Sequence, residues 1–258
     1  MTEKIEIMVA AHKIAPMPVA SIYTPLQVGA ALSSEHFPEY TWDDTGDNIS
    51  IKNKQYNELT ALYWARHNSQ ADIVGLVHYR RYFTFNRQKN LNTILSEAQL
   101  RDLLQHVDVI VPKKRHYWIE SSESHYRHAH HGQSLDILRE VIQTDYPDYN
   151  EAFEANMAST SAHMFNMLIM RRQLFNDYVD WLFDILDKVE HRLSPEVQNW
   201  SVYERRVYGF LSERLLDVWL TKHQIKYQEV PIVFMEHQNW LKKGTKFLAR
   251  KFGFGRVQ

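Results

Sequence analysis

The sequence predicts an α/β fold with a mostly parallel central sheet flanked by helices. Two observations carry this. Short apolar runs of strand length alternate with longer segments whose apolar residues recur every three or four positions. No internal repeat or low-complexity tract breaks that alternation, and 258 residues allow one large domain or two small ones.

The elements follow in order. Residues 4–10 form an apolar run with the character of a buried strand. Residues 54–68 space Leu59, Leu62, Tyr63 and Arg66 by three and four, which predicts a helix. Residues 72–77 are a short apolar run ending at His78, a central strand. A helix is expected over 96–106, then a strand over 108–111 stopped by Pro112. Leu135, Leu138 and Ile142 predict a helix over 133–143, and 164–170 a further strand. The clearest helix carries Leu174, Tyr178, Trp181, Leu182, Ile185 and Val189 on one face and Asp177, Asp180, Asp184 and Asp187, a solvated stripe, on the other. A second strong helix covers about 203–222, with Leu211, Leu215, Val218 and Trp219 inward. The run 226–234 is interrupted by Pro231, which predicts an edge strand. Ligands of open α/β sheets bind beyond the carboxyl ends of the strands. That directs attention to the residues following 10, 77 and 111.

Composition excludes several chemistries. The chain has no cysteine, so disulfides, thiolate metal sites and thiol nucleophiles are absent. Its eight glycines form neither of the common glycine-rich phosphate loops, so side chains must do that work if a nucleotide binds. No apolar run is long enough to span a membrane, and the N-terminus lacks the pattern of a signal peptide, so a cytoplasmic location is expected. The formal net charge of −1 hides an asymmetry. Residues 241–258 hold six basic side chains and no acid, leaving 24 basic against 31 acidic residues elsewhere. With Trp240, Phe247, Phe252 and Phe254 interleaved, this segment is either a basic amphipathic tail for an anionic membrane surface or a plain basic terminus. The balance of the chain does not fit a nucleic-acid binder.

Four segments hold candidate chemistry. His78, Tyr79, Arg80, Arg81, Tyr82 and Phe83 follow a strand, and paired guanidiniums there suit phosphate oxygens as well as a structural cluster. The loop with Asp43, Asp44 and Asp47 is either a metal site or a turn and helix cap, and Lys52, Asn53 and Asn57 beyond it lie near a helix start. His125, His128, His130 and His131 cluster, but their spacing does not match a dinuclear hydrolase motif; a sugar- or phosphate-contacting loop, a catalytic metal and a plain surface loop all stay open. Glu213 and Asp217 lie one turn apart, with Arg206 and Arg214 nearby, either as a solvated face or with one carboxylate serving as a general base.

The order of motifs resembles a bacterial glycosyltransferase family of capsule, exopolysaccharide and O-antigen (lipopolysaccharide) gene clusters, long catalogued as a domain of unknown function. The resemblance rests on Asp44 through Ser50, Lys52 and Asn53, Tyr56 through Trp64, Ile73 through Phe83, Phe165 through Arg171 with the Trp181 helix, and Gly209 through Leu215. It covers about residues 4–235. It implies a GT-A-like single domain, taken as 1–239 with the tail at 240–258. It also implies a UDP-sugar donor, galactofuranose first, a glycan or lipid-linked glycan acceptor, and inverting transfer. The wider GT-A pattern places an Asp-x-Asp where His78, Tyr79 and Arg80 stand. Arg80 and Arg81 are therefore expected to neutralise the diphosphate, with a divalent cation (Mn or Mg) dispensable or bound by His78. Under this resemblance Glu213 is the general base. Ala10, His12, Lys13, Asp44, Asn48, Lys52, Asn53, His78 and Tyr79 join the arginines on the donor side. Trp118, His125, His128, His130, His131 and Asn166 shape the acceptor side. Two rivals remain: a histidine-ligated metal hydrolase, and a non-catalytic glycan-binding or assembly protein of the same fold.

Overall fold

Alternating apolar side chains bury both faces of one sheet. The computed structural model describes residues 2–86 and 88–236, so the expected tail at 240–258 lies outside the described residues. The strands are β1 (Ile5–Ala11), β2 (Tyr23–Gln27), β3 (Thr41–Trp42), β4 (Ile73–His78), β5 (Arg81–Phe83), β6 (Val109–Pro112), β7 (Arg115–His116), β8 (Ser161–Ala162), β9 (Leu168–Arg171), β10 (Tyr227–Val230) and β11 (Ile232–Phe234). The helices are α1 (Asn53–Tyr56), α2 (Leu59–Asn68), α3 (Glu97–Leu103), α4 (Ser122–Ala129), α5 (Gly132–Asp145), α6 (Asn150–Ala158), α7 (Arg172–Val197) and α8 (Val207–Lys222).

The sheet runs β10-β6-β9-β4-β1-β2-β3. All of these strands point one way except β9, which is antiparallel to both β6 and β4. The result is a mixed α/β domain with a mostly parallel sheet, as expected. Met8, Val74, Leu76 and Val109 face one core with α2 and α4 to α8, while Ile7, Val9, Ile73, Val77 and Ile110 face the other, closed by α3 and the β5–β11 ribbon. Such two-sided burial is what central strands of a parallel sheet need. As expected, β10 lies at the edge; Pro231 ends it, and the chain turns to pair β11 with β5. The acidic stripe of α7 is exposed as expected, with Asp180 meeting Arg66 and Asp184 meeting Lys188.

Two expected elements are corrected. The helix over 54–68 is broken at Asn57, whose φ is +51°. Asparagine tolerates positive φ, and here its N–H bonds the Asn53 carbonyl while its own carbonyl accepts from Asn53 Nδ2 and Thr60 Oγ1. The strand over 164–170 begins only at Leu168, because Phe165 (φ +79°) and Asn166 (φ +53°) form a left-handed turn before it. Strand–helix alternation also understated the fold: β2, β5, α4 and α6 have weaker periodicity and emerge only with the tertiary structure.

Gly75 sits mid-strand in β4 opposite Ile169 of β9. A Cβ there would come 2.8 Å from Ile169 Cγ1 and 3.0 Å from the Leu168 carbonyl oxygen. Gly75→Ala is therefore expected to destabilise the fold by about 1–3 kcal/mol through overpacking. Urea unfolding measures this, and an unchanged midpoint would contradict it.

Candidate active site

At the carboxyl edge of the sheet lies a cavity of about 390 Å³. Its walls come from the β4–β5 connection, the start of α2, the segment around α4, the turn before β9, and the first turns of α8. The size suits a small-molecule ligand.

The Phe165–Asn166 turn joins these walls. The Phe165 N–H donates to Glu213 Oε1 at 2.9 Å, and the Phe165 carbonyl accepts from His78 Nε2 at 2.7 Å. Asn166 Nδ2 donates to Glu58 Oε1 (2.8 Å) and to the Gly209 carbonyl (3.1 Å), while its Oδ1 accepts from Ser212 Oγ at 2.6 Å. One turn thus fixes β4, the start of α2 and the start of α8 against each other. Reversal of β9 is what brings its first residues to this edge, beside the ends of its neighbours.

The cavity holds opposed charges. Arg81 packs its guanidinium 4.5 Å from the Phe165 ring centre and makes no ion pair among the described residues. Its Nε and that of Arg80 are buried without a hydrogen-bond partner there. Burial, then the neighbouring Arg80 charge, lowers the Arg81 pKa. Arg80 has one distant ion pair, 3.6 Å from Glu236. Arg206 donates from Nε to Asn57 Oδ1 at 2.9 Å. Facing them are Glu58 and Glu213. Glu213 is 16% exposed, and burial holds its pKa above the usual carboxylate range, with Arg214 opposing and Glu58 reinforcing the rise. Burial pushes His78 down to about 4, so it is neutral, with its Nε2 hydrogen given to Phe165.

Of the residues singled out from the sequence, His78, Arg80, Arg81, Glu213, His125, His128 and His130 meet in this cavity. Others lie elsewhere. Ala10 is buried inside β1, paired with His78. His12 packs edge-on against Tyr79, while Lys13 and Tyr79 line a second hollow of about 650 Å³, where Lys13 pairs with Glu236 at 2.9 Å. The loop 43–53 does not line the cavity, contrary to the expected donor contact. Asp44 pairs with His36, Asn48 bonds within its own turn, Lys52 pairs with Glu190, and Asn53 holds the Asn57 carbonyl. The loop is organised by buried Asp43, which accepts from the Gly29 and Ala30 amides and from the Ser50 and Thr60 hydroxyls. Its turn reading holds, while the helical turns that start at Ser50 and Asn53 carry no side-chain cap at their N-cap residues. On the expected acceptor side, Asn166 is buried and acts through Glu58, and His131 stacks on Trp200 away from the cavity wall. Trp118 is 87% exposed beside the cavity residue Glu120. Asp217 does not accompany Glu213; it is buried and bonds His163 and Lys114.

The histidines do not assemble a metal centre. Among the described residues, no group of three or more His, Asp or Glu side chains is placed to hold a metal ion. His125 and His128 both direct Nδ1 at Glu120, while His130 stacks on Phe210. For His78, the lone pair left for a cation is on Nδ1. Sequence reasoning missed Glu58 and Glu120, single carboxylates with no spacing partner. The break at Asn57 that aims Glu58 left no periodic signal.

Residues 6–224 match a family described as a domain of unknown function (DUF4422). Among solved structures, that of a bifunctional glycosyltransferase, WbbM, in its apo form is similar, with a TM-score of 0.83 and 29% identity. The match covers 91% of this chain and 46% of that one, so the chain spans less than half of its length. No curated protein matches. The architecture is the GT-A-like one expected. Because the family match runs from the first strand through α8 and takes in the turn, the arginines and Glu213, the chain belongs to this family.

Proposed function

We propose that the chain is a glycosyltransferase that moves a sugar from a UDP-sugar to a growing bacterial surface glycan with inversion. The observation that carries this is the pair of half-buried arginines, Arg80 and Arg81, whose Nε atoms are buried without a hydrogen-bond partner among the described residues, in one cavity with the largely buried Glu213 carboxylate. Unpartnered buried donors mark a place for an anion, since burying them unmet is costly. Similarity to a bifunctional glycosyltransferase supports the same reading. Galactofuranose is our first choice of donor sugar, on the resemblance of the motifs.

Arg80 and Arg81, with Arg206 beside them, meet the diphosphate, whose charge grows as the sugar leaves. Preset donors in a partly dry cavity stabilise that charge without reorganising. Glu213 takes the proton of the acceptor hydroxyl as the new bond forms. Its carboxylate is fixed by the Phe165 amide, and a raised pKa makes it a stronger proton acceptor than a free glutamate. Glu58, held by Asn166, sets the field around Glu213 and His78. His125, His128 and His130 form the acceptor side, with the exposed Trp118 two residues before Glu120 in the chain. Lys13 and Tyr79 border the second hollow, where a nucleoside has room. No three His, Asp or Glu side chains among the described residues are placed together for a divalent ion, and this reading gives the phosphate charge to the arginines.

Millimolar UDP is expected to raise the Tm by roughly 2–4 °C per kcal/mol of linked binding energy. Arg81→Ala should remove most of that shift. No stabilisation by UDP, with or without Mn²⁺, would refute the nucleotide-sugar reading. Glu213→Gln is expected to cut turnover by about 10²–10⁴-fold while leaving UDP binding intact. A base works only when deprotonated, so wild-type kcat/KM should fall as pH drops through the raised Glu213 pKa. That limb should lie above the ordinary glutamate value of about 4.3. Retained turnover in the variant removes Glu213 from the role.

The basic segment 241–258 is proposed to hold the protein on the inner face of the membrane, near a lipid-linked acceptor. Deleting it should abolish co-sedimentation with anionic vesicles; unchanged binding would discard this role.

A further inference from the structure

Glu120 stands just before α4 in the cavity wall, with its side chain 3% exposed. Its two oxygens meet two different rings. Oε2 is 3.1 Å from His125 Nδ1, and Oε1 is 2.8 Å from His128 Nδ1. No lysine or arginine pairs with it among the described residues. Burial alone would raise its pKa, but hydrogen bonds from His128 and His125 outweigh that and hold it below the usual range. Glu120 is therefore a carboxylate, which only accepts hydrogen bonds.

That fact decides where the imidazole hydrogens sit. A ring nitrogen facing a carboxylate oxygen at these distances must carry the hydrogen, so both Nδ1 atoms are donors. A neutral ring with hydrogen on Nδ1 keeps its lone pair on Nε2. His125 is neutral, because burial pushes it down to about 4, and it is stacked on Tyr117 at 4.4 Å, which fixes its plane. No hydrogen bond to a described residue engages Nε2 of either ring. Elsewhere in the wall, Arg80, Arg81 and Arg206 offer only donors. Neutral acceptors suited to hydroxyl hydrogens come from the α4 side.

We propose that Glu120 is a positioning residue: it holds Nδ1–H of His125 and His128, so that when both rings are neutral the α4 wall presents two imidazole acceptors to sugar hydroxyls. The sugar part rests on the glycosyl-transfer reading above; the tautomer part does not.

Long-range ¹H–¹⁵N spectra of the histidine rings in the full chain test it. They are recorded at pH 8.5, above the ordinary histidine range, and assigned with His125→Gln and His128→Gln. Both rings are expected as Nδ1–H. Glu120→Gln has one amide nitrogen to donate, so one ring should move its hydrogen to Nε2. Glu120→Ala should leave both rings as tautomer mixtures. An Nε2–H form on either ring of the unaltered protein overturns the proposal, and that measurement stands even if the variants fold poorly. Methyl glycosides of galactose, glucose and mannose are then titrated. At least one should shift both Nε2 resonances, and it should bind about tenfold more weakly to Glu120→Gln, the loss expected for one hydrogen bond. No shift with any of them overturns the hydroxyl role. Failure of UDP to stabilise the protein, with the rings locked as stated, would instead count against the glycosyl-transfer reading alone.

Discussion

Two consecutive left-handed residues, Phe165 and Asn166, are the constraint on which the site depends. Non-glycine residues in that conformation cost roughly 1–3 kcal/mol each when the surroundings do not favour it. Here the surroundings repay it with five hydrogen bonds to three elements. The turn exposes the Phe165 amide and carbonyl in opposite senses, so one backbone unit orients an acid, Glu213, and a neutral imidazole, His78. Asn166 works with both ends of its amide, one on Glu58 and one on Ser212. Gly209 completes the fit, since a Cβ there would come 2.8 Å from Asn57 Nδ2.

Charge is arranged around that turn. An unpaired buried ion is costly, and proteins usually pair it or neutralise it. His78 is neutralised, Glu120 is satisfied by two imidazoles, and Asp217 by His163 and Lys114. Arg81 alone among these rests mainly on aromatic rings. The cavity therefore keeps positive charge in reserve on one side while its carboxylates are tied to amides and imidazoles on another.

Much of the fold was legible in the sequence. The strands at 5–11, 73–78 and 109–112 are apolar on both faces, and α7 repeats its apolar face over many turns; such patterns survive any tertiary context. Backbone reversals do not, because Asn57 and the 165–166 turn are held by long-range partners that no local window contains. The site was partly legible. Adjacent Arg80 and Arg81 at a strand end announce themselves, as do clustered histidines. The loop 43–53 misled because its polar side chains serve their own backbone through Asp43. Glu58 and Glu120 were invisible, since a lone carboxylate gains meaning only from what folding sets beside it.

Helix α7 has 26 residues, about 39 Å at 1.5 Å per residue. It starts at the far edge of the sheet, where β9 ends, and must return the chain to the cavity edge before Tyr203 and Arg206 can reach the wall. Its length is thus a ruler matched to the depth of the sheet. One inserted residue would turn everything beyond it by about 100° and advance it 1.5 Å, re-aiming Arg206 and rotating the α7 side chains past the insertion out of the core they share with α5 and α8. Two variables, span and phase, are set together by one uninterrupted element far from any ligand.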